Sequence, residues 1–238
     1  MMDKDSVRQH ISKRFDQELE EIRNKVLTMG GLVERQIGES IRAVIESDIE
    51  VAEIVIQNDV KVNTLEVSID EECVQILARR QPTASDLRLV IAVIKTITDL
   101  ERIGDEAKRI AHQAIDMEGH FCKSRQFTDL EQLGRRVLSM LRDSLDAFAR
   151  MDVELCLSVS QEDENVDREY ESIMRQQMTY LMEDPRMIRA SIDIMWAARA
   201  IERIGDRSCN ICEYVIYQVK GRDIRHISLK EIEKKLRP

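Results

Sequence analysis

Glu101-Arg102-Ile103-Gly104-Asp105 recurs, letter for letter, as Glu202-Arg203-Ile204-Gly205-Asp206. Each copy sits in a run with apolar residues at helical spacing: Leu100, Ile103, Ala107, Ile110 and Ala114, then Ile201, Ile204, Ser208, Ile211 and Val215. Both copies are therefore read as helix, and on a helix a Glu and an Asp four residues apart share one face, one turn apart. The repeat marks the chain as a duplication and sets an acidic pair at an equivalent place in each half.

Working outward, the two interior prolines punctuate the halves in the same way. Pro82 and Pro185 each precede the pentapeptide by about five helical turns. Asp184-Pro185 reads as an N-cap with proline at the first helical position, and Thr83 with Asp86 three residues on resembles a capping box. Upstream of each proline lies a second helix with a seven-residue stripe. Val55, Val62, Ile69 and Ile76 are matched 104 positions later by Val159, Val166, Ile173 and Tyr180. Such stripes are seams of helices packed at shallow angles.

A first helix completes each half. Ala43 to Asp48 echoes Ala147 to Asp152 at the same offset of 104, whereas Val26 to Met29 echoes Val137 to Met140 at 111. That difference predicts that the first helix of the second half is shorter by one heptad. The fold class expected is all-α, two tandem three-helix bundles from an internal duplication. The first bundle spans 8–118, the second 126–221, and a loosely attached tail runs over 222–238. Glu118 to Ser124 joins the halves and Gly221 caps the last helix. One continuous six-helix bundle is the competing arrangement.

Composition agrees with a helical protein: 43% hydrophobic and 34% charged residues, with 8 Gly and 3 Pro in 238. A net charge of -9 argues against nucleic acid as a partner. Met1 to Arg14 carries charge without an apolar core, so no secretory signal is expected, and Leu87 to Ile97, the most apolar stretch, is too short to span a bilayer. A cytoplasmic protein is the expectation. Cys209-x-x-Cys212 lacks the second pair or nearby His that a zinc site needs, and is read as two small helix residues.

With 45 acidic residues in the chain, acidic pairs at i,i+4 arise often by chance, and most are solvated helix face. The repeated pairs Glu101/Asp105 and Glu202/Asp206 are more specific because their distance from the prolines is repeated too. The preceding helix of each half adds Asp163 and Asp167 in the second half, and Asp59 and Asn63 at the equivalent positions of the first. An oxygen-only set suits a hard cation such as Mg²⁺, Ca²⁺ or Mn²⁺, and bridging carboxylates would also admit iron. Surface pairing with Arg102, Arg203, Arg109 and Lys108 is the bland alternative. Gly104 and Gly205 cost about 1 kcal/mol each inside a helix and so mark a close approach.

An enzyme is disfavoured. His10, His112, His120 and His226 lie outside the motifs, and there is no phosphate loop or nucleophile signature. The carboxylates leave open a metal-dependent phosphohydrolase, and a metal-free helical adaptor is a third reading.

Gln81-Pro82-Thr83-Ala84-Ser85-Asp86-Leu87-Arg88 with Leu100 to Asp105, and Met178 to Asp184 with Ile201 to Asp206, resemble the PhoU family of phosphate-signalling regulators. The resemblance runs from about His10 to His226. It implies tandem three-helix bundles and a divalent metal (Mg, Mn, Fe or Zn) held by acidic motifs that map onto Glu101, Asp105, Glu202 and Asp206, with Asp163 and Asp167 as partners. Asn63 departs from the pattern, so the first site should bind metal more weakly or recruit Glu66. By the same resemblance the protein is a negative regulator of the phosphate-starvation response. Its implied partners are the ATPase subunit of a phosphate ABC transporter and a sensor histidine kinase. It would reach the membrane only through those partners and form a homodimer. Arg88 and the exposed arginines near the motifs are candidates for the partner surface.

Overall fold

The computed structural model describes residues 4–119, 124–224 and 227. Six long helices follow one another: α1 Lys4–Glu46, α2 Ile49–Arg80, α3 Ala84–Asp116, α4 Ser124–Arg150, α5 Val153–Glu183 and α6 Ile188–Lys220, the last entered through a 3₁₀ turn at Pro185–Met187. Helices α1 to α3 and α4 to α6 are the two three-helix units of the duplication.

Local chemistry repeats at the 104-residue offset. Ser47 and Met151 take left-handed φ values of 55° and 56°, which turns the chain back on itself. Asp48 and Asp152 then cap α2 and α5, accepting from Val51 N at 3.1 Å and Leu155 N at 3.0 Å. The stripes behave as expected. Val55, Val62, Ile69 and Ile76 are buried, as are Val159, Val166 and Ile173, while Tyr180 is half-buried. Asp184 caps the turn at Pro185, accepting from Arg186 N at 3.0 Å.

Three details differ from the sequence reading. Thr83 is the N-cap of α3, but its side chain makes no capping hydrogen bond, so there is no capping box with Asp86. The shortening of the fourth helix is not one internal heptad: α1 has 43 residues against 27 in α4. Gly30 and Gly134, and Ser40 and Ser144 (each bonded to the carbonyl three residues back), keep the 104 register along both helices. The extra length of α1 lies at its N-terminal end. The echo of Val26 to Met29 at 111 arises because a heptad stripe also matches itself after a shift of seven. Finally, the start of the tail is docked: Gly221 (φ 67°) ends α6, and Ile224 is buried against the core. Of the linker, His120 to Lys123 lie outside the described residues, as do the tail positions 225, 226 and 228–238.

The two units share one core, because α3 packs along α6 and α1 along α4. A pseudo-two-fold relates these contacts. A Cβ on Gly30 would lie 2.7 Å from Leu145 Cδ1, and one on Gly134 would lie 2.6 Å from Ile41 Cδ1, the positions being exchanged between the halves. Polar groups fix the α3–α6 seam. Asp99 is buried and accepts from the Tyr214 hydroxyl at 2.7 Å, Arg207 Nη1 at 3.4 Å and Asn210 Nδ2 at 3.5 Å. Glu106, also buried, accepts from Arg109 Nη1 at 2.9 Å and Arg203 Nη1 at 3.3 Å. These acids stand seven residues apart on α3 and face a cationic and polar stripe on α6. Arg88 is used in the fold as well, its Nε donating to the Gln218 carbonyl at 3.2 Å near the end of α6. Among the described residues no helix is long and apolar enough to cross a membrane.

Candidate metal centre

In each half the middle helix lays its acidic residues against the pentapeptide of the third. The motif glycines mark the crossing. A Cβ on Gly104 would lie 3.5 Å from Asp59 Oδ1 and from Val62 Cγ1, and 3.3 Å from Gln36 Oε1. A Cβ on Gly205 would lie 3.4 Å from Asp163 Oδ1 and 3.5 Å from Val166 Cγ1. The Gln36 amide oxygen comes nearest Gly104, followed by Asp59 and Val62, while Asp163 and Val166 come nearest Gly205, so Asp59 and Asp163 lie against the motif face in each half.

In the second half all four predicted carboxylates come together between α5 and α6. Glu202 is 8% exposed and Asp163 half-buried, while Asp167 and Asp206 stand at the exposed rim. Burial first, then Asp206, pushes the Glu202 carboxyl up to about 7. Burial and then Asp206 and Asp167 push Asp163 to about 6, and Asp206 itself is raised, by burial and then by Asp167. The group is thus a cluster of carboxylates that raise one another's proton affinity. Arg199 Nη1 donates to Glu202 at 2.6 Å from the rim, and the charges of Arg199, Arg207 and Arg203 pull against the rise of Asp206. The other oxygen, Glu202 Oε2, is buried and accepts no hydrogen bond from the protein. Cys209, three residues after Asp206, is hydrogen-bonded to Asp163.

The first half assembles the equivalent positions differently. Asp59 is 2% exposed. It accepts from Lys108 Nζ at 3.0 Å, and more distantly from Asn63 Nδ2 at 3.5 Å. The Asp59 bond and charge raise the Lys108 pKa further, keeping it an ammonium. Glu101 and Asp105 are half-buried beside it. Glu101 is raised by burial, then by Asp105, Glu66 and Asp59, which places Glu66 on this face as its one-turn spacing from Asn63 suggests. Lys108 stands three residues after Asp105, the position that Cys209 takes in the second half.

Each half holds a buried carboxylate oxygen without a donor, Glu202 Oε2 and Asp59 Oδ1. What suits the second half to a divalent cation is its four hard carboxylate donors and the absence of an ammonium on the central Asp163. In the first half the fit fails at the centre, where Lys108 already pairs the deepest carboxylate and an amide stands for the fourth. Among the described residues no three His, Cys, Asp or Glu side chains already converge on one ion-sized point.

Of the four cations expected to pair with the acidic residues, Lys108 bonds Asp59, and Arg102 lies close enough to Glu101 and Glu66 to pull against their rise. Arg203 and Arg109 bond Glu106 instead. Arg199 and the α3–α6 network of Asp99, Glu106, Arg207 and Tyr214 escaped the sequence reading. Their signal was present as heptad-spaced charges on the two motif helices. The C-x-x-C divides: Cys212 is buried beside Cys156, and Cys209 faces the acidic cluster.

The PhoU domain model matches twice, over residues 26–114 and 130–215. The chain is 50% identical over 237 residues to the phosphate-specific transport system accessory protein PhoU of Escherichia coli, covering 99% of this chain and 97% of that one. It is 52% identical over 231 residues to the same-named protein of Serratia marcescens, covering 97% and 95%. Among solved structures it resembles PhoU of Pseudomonas aeruginosa, with a TM-score of 0.84 and 49% identity over 87% of this chain and all of that one. It also resembles the phosphate transport system regulatory protein PhoU of Streptococcus pneumoniae, with a TM-score of 0.81 and 32% identity over 88% and 98%.

Proposed function

The chain belongs to the PhoU family, and on that premise we propose that it is an accessory protein of phosphate-specific transport that represses the phosphate-starvation response. It acts by contact, without turning over a substrate, as a cytoplasmic adaptor between the transporter's ATPase subunit and a sensor histidine kinase, and works as a homodimer. The observation that supports this most is the near end-to-end identity with accessory proteins of that system, extending through both copies of the pentapeptide.

Metal belongs to the second half in this reading. Asp163, Asp167, Glu202 and Asp206 would hold it, and a divalent ion there supplies the positive charge that lets four crowded carboxylates ionise together. The residues themselves do the positioning. Asp163 lies against the helix backbone at Gly205, and Arg199 orients Glu202 by taking one of its two oxygens. α6 then carries the state of the site to the α3–α6 seam, since Arg203 and Arg207 of the motif helix bond Glu106 and Asp99.

A null strain tests the regulatory reading. It should express phosphate-scavenging enzymes in high phosphate, and the wild-type chain should restore repression. Normal repression in the null strain would remove the proposal.

A further inference from the structure

We infer that the first half carries its own cation: the Lys108 ammonium, seated on Asp59 between α2 and α3, takes the place that a divalent ion takes in the second half. The molecule is then a one-sided metal protein, and Lys108 is the residue that decides it. The inference rests on the reading of Asp163, Asp167, Glu202 and Asp206 as a metal site, and it assigns the matching site of the first half a different occupant.

Four observations carry it. Lys108 Nζ lies 3.0 Å from Asp59 Oδ2, which puts a full positive charge against that carboxylate, the buried Asp59 Oδ1 being left without a donor. Asp59 is the deepest carboxylate of the α2–α3 acidic crossing at 2% exposed, so its charge has to be compensated from within. Asn63 stands where the second half has Asp167, removing one anionic donor and donating its amide to the same oxygen as Lys108. The remaining acids, Glu66, Glu101 and Asp105, are only half-buried and open to water, and Arg102 lies close enough to Glu66 and Glu101 to serve them as a second cation.

In the second half the first and third of these features are reversed. Asp167 is a carboxylate, Cys209 replaces the lysine, and no ammonium reaches Asp163. A divalent ion placed on the first half would meet the fixed ammonium at a few ångströms, a like-charge contact that a partly desolvated helix crossing does not screen. The family pattern of two equivalent acidic motifs is therefore present in the letters of this chain and absent from its charge balance.

Mn²⁺ titration of purified full-length chains, followed calorimetrically and by the loss of the free ion's paramagnetic resonance signal, tests this. Glu101→Gln/Asp105→Asn should bind Mn²⁺ as the wild type does. Glu202→Gln/Asp206→Asn should weaken binding by at least about tenfold. Two exchanges across the halves complete the set. Lys108→Cys/Asn63→Asp should roughly double the Mn²⁺ bound at saturation, and Cys209→Lys should abolish it while leaving the helical circular dichroism intact. Loss of Mn²⁺ in Glu101→Gln/Asp105→Asn, or no gain in a folded Lys108→Cys/Asn63→Asp, overturns the inference and leaves the metal reading of the second half standing. If the wild type binds no Mn²⁺, that reading fails instead. A gain in the Lys108→Cys/Asn63→Asp protein would still sustain the role given to Lys108.

Discussion

The two halves answer one electrostatic problem in two ways. Each packs a carboxylate-bearing helix against the Glu-Arg-Ile-Gly-Asp face of its neighbour, and each must offset the cost of crowding anions in a poorly hydrated crossing. The first half does so with a lysine from its own α3, bonded to the 2%-exposed Asp59. The second sets no ammonium on Asp163 and meets Glu202 with Arg199 at the rim, the two carboxyls being raised to about 6 and about 7. A duplicated motif is thus no guarantee of a duplicated site. The backbone repeats through Ser47 and Met151, Asp48 and Asp152, and Gly30 and Gly134, while the charge at one helix position changes from Lys108 to Cys209.

The largest effect that separates the halves is thermal stabilisation by metal. Saturating Mn²⁺ should raise the Tm of the wild type and of Glu101→Gln/Asp105→Asn by several degrees, as expected for a ligand held only by the folded state. Scanning calorimetry of Glu202→Gln/Asp206→Asn should show no such rise, and an equal rise in that variant breaks the comparison.

Next in size is the removal of the internal cation. Lys108→Ala leaves Asp59 buried with only a long amide contact, and the loss of stability should be roughly 2 kcal/mol, moderated because the ammonium itself is partly wet. Cys209→Ala, at the matching position, should cost well under half of that in metal-free protein. Urea denaturation of both variants checks the ratio.

The pH dependence has a definite sign. Glu202 and Asp163 have folded pKa values above the ordinary carboxylate range, so the folded protein binds protons more tightly than the unfolded chain. Their favourable contribution is present at low pH and is lost as pH rises from the usual carboxylate range through about 7. Chelated protein should therefore gain stability from the second half as pH falls from about 8 to about 5. Glu202→Gln should flatten that part of the profile, whereas Glu101→Gln should change it less.

The smallest effect tests the seam that joins the halves. Tyr214→Phe removes the 2.7 Å bond to buried Asp99 and should cost about 1–2 kcal/mol. It should leave Mn²⁺ affinity almost unchanged, since the hydroxyl faces α3 and not the acidic cluster.

The helices and the pairing of acidic residues were legible in the sequence because they follow from periodicity and repetition. The stripe from Val55 to Ile76 is buried as read, and Asp163 and Glu202 meet as the antiparallel pairing of their helices requires. Two things were not legible. Heptad stripes look alike after a shift of seven, so the true extent of the fourth helix was blurred until Gly30/Gly134 and Ser40/Ser144 fixed the register. Lys108 read as one surface cation among many, because a lysine on a polar face has many places to go. Only the depth of Asp59, set by how closely α2 crosses α3 at Gly104, makes that one pairing compulsory. For the same reason Asp99 and Glu106 passed as solvated charges, although they are buried at the α3–α6 seam.

The most direct test of an unequal pair of halves is the position of bound metal. Crystals of the full-length protein soaked in Mn²⁺ and measured at a wavelength where manganese scatters anomalously should give density between α5 and α6, beside Glu202 and Asp206. The space between α2 and α3 should give none, with the Lys108 ammonium still on Asp59. An anomalous peak beside Glu101 and Asp105, with Lys108 displaced, would contradict the account.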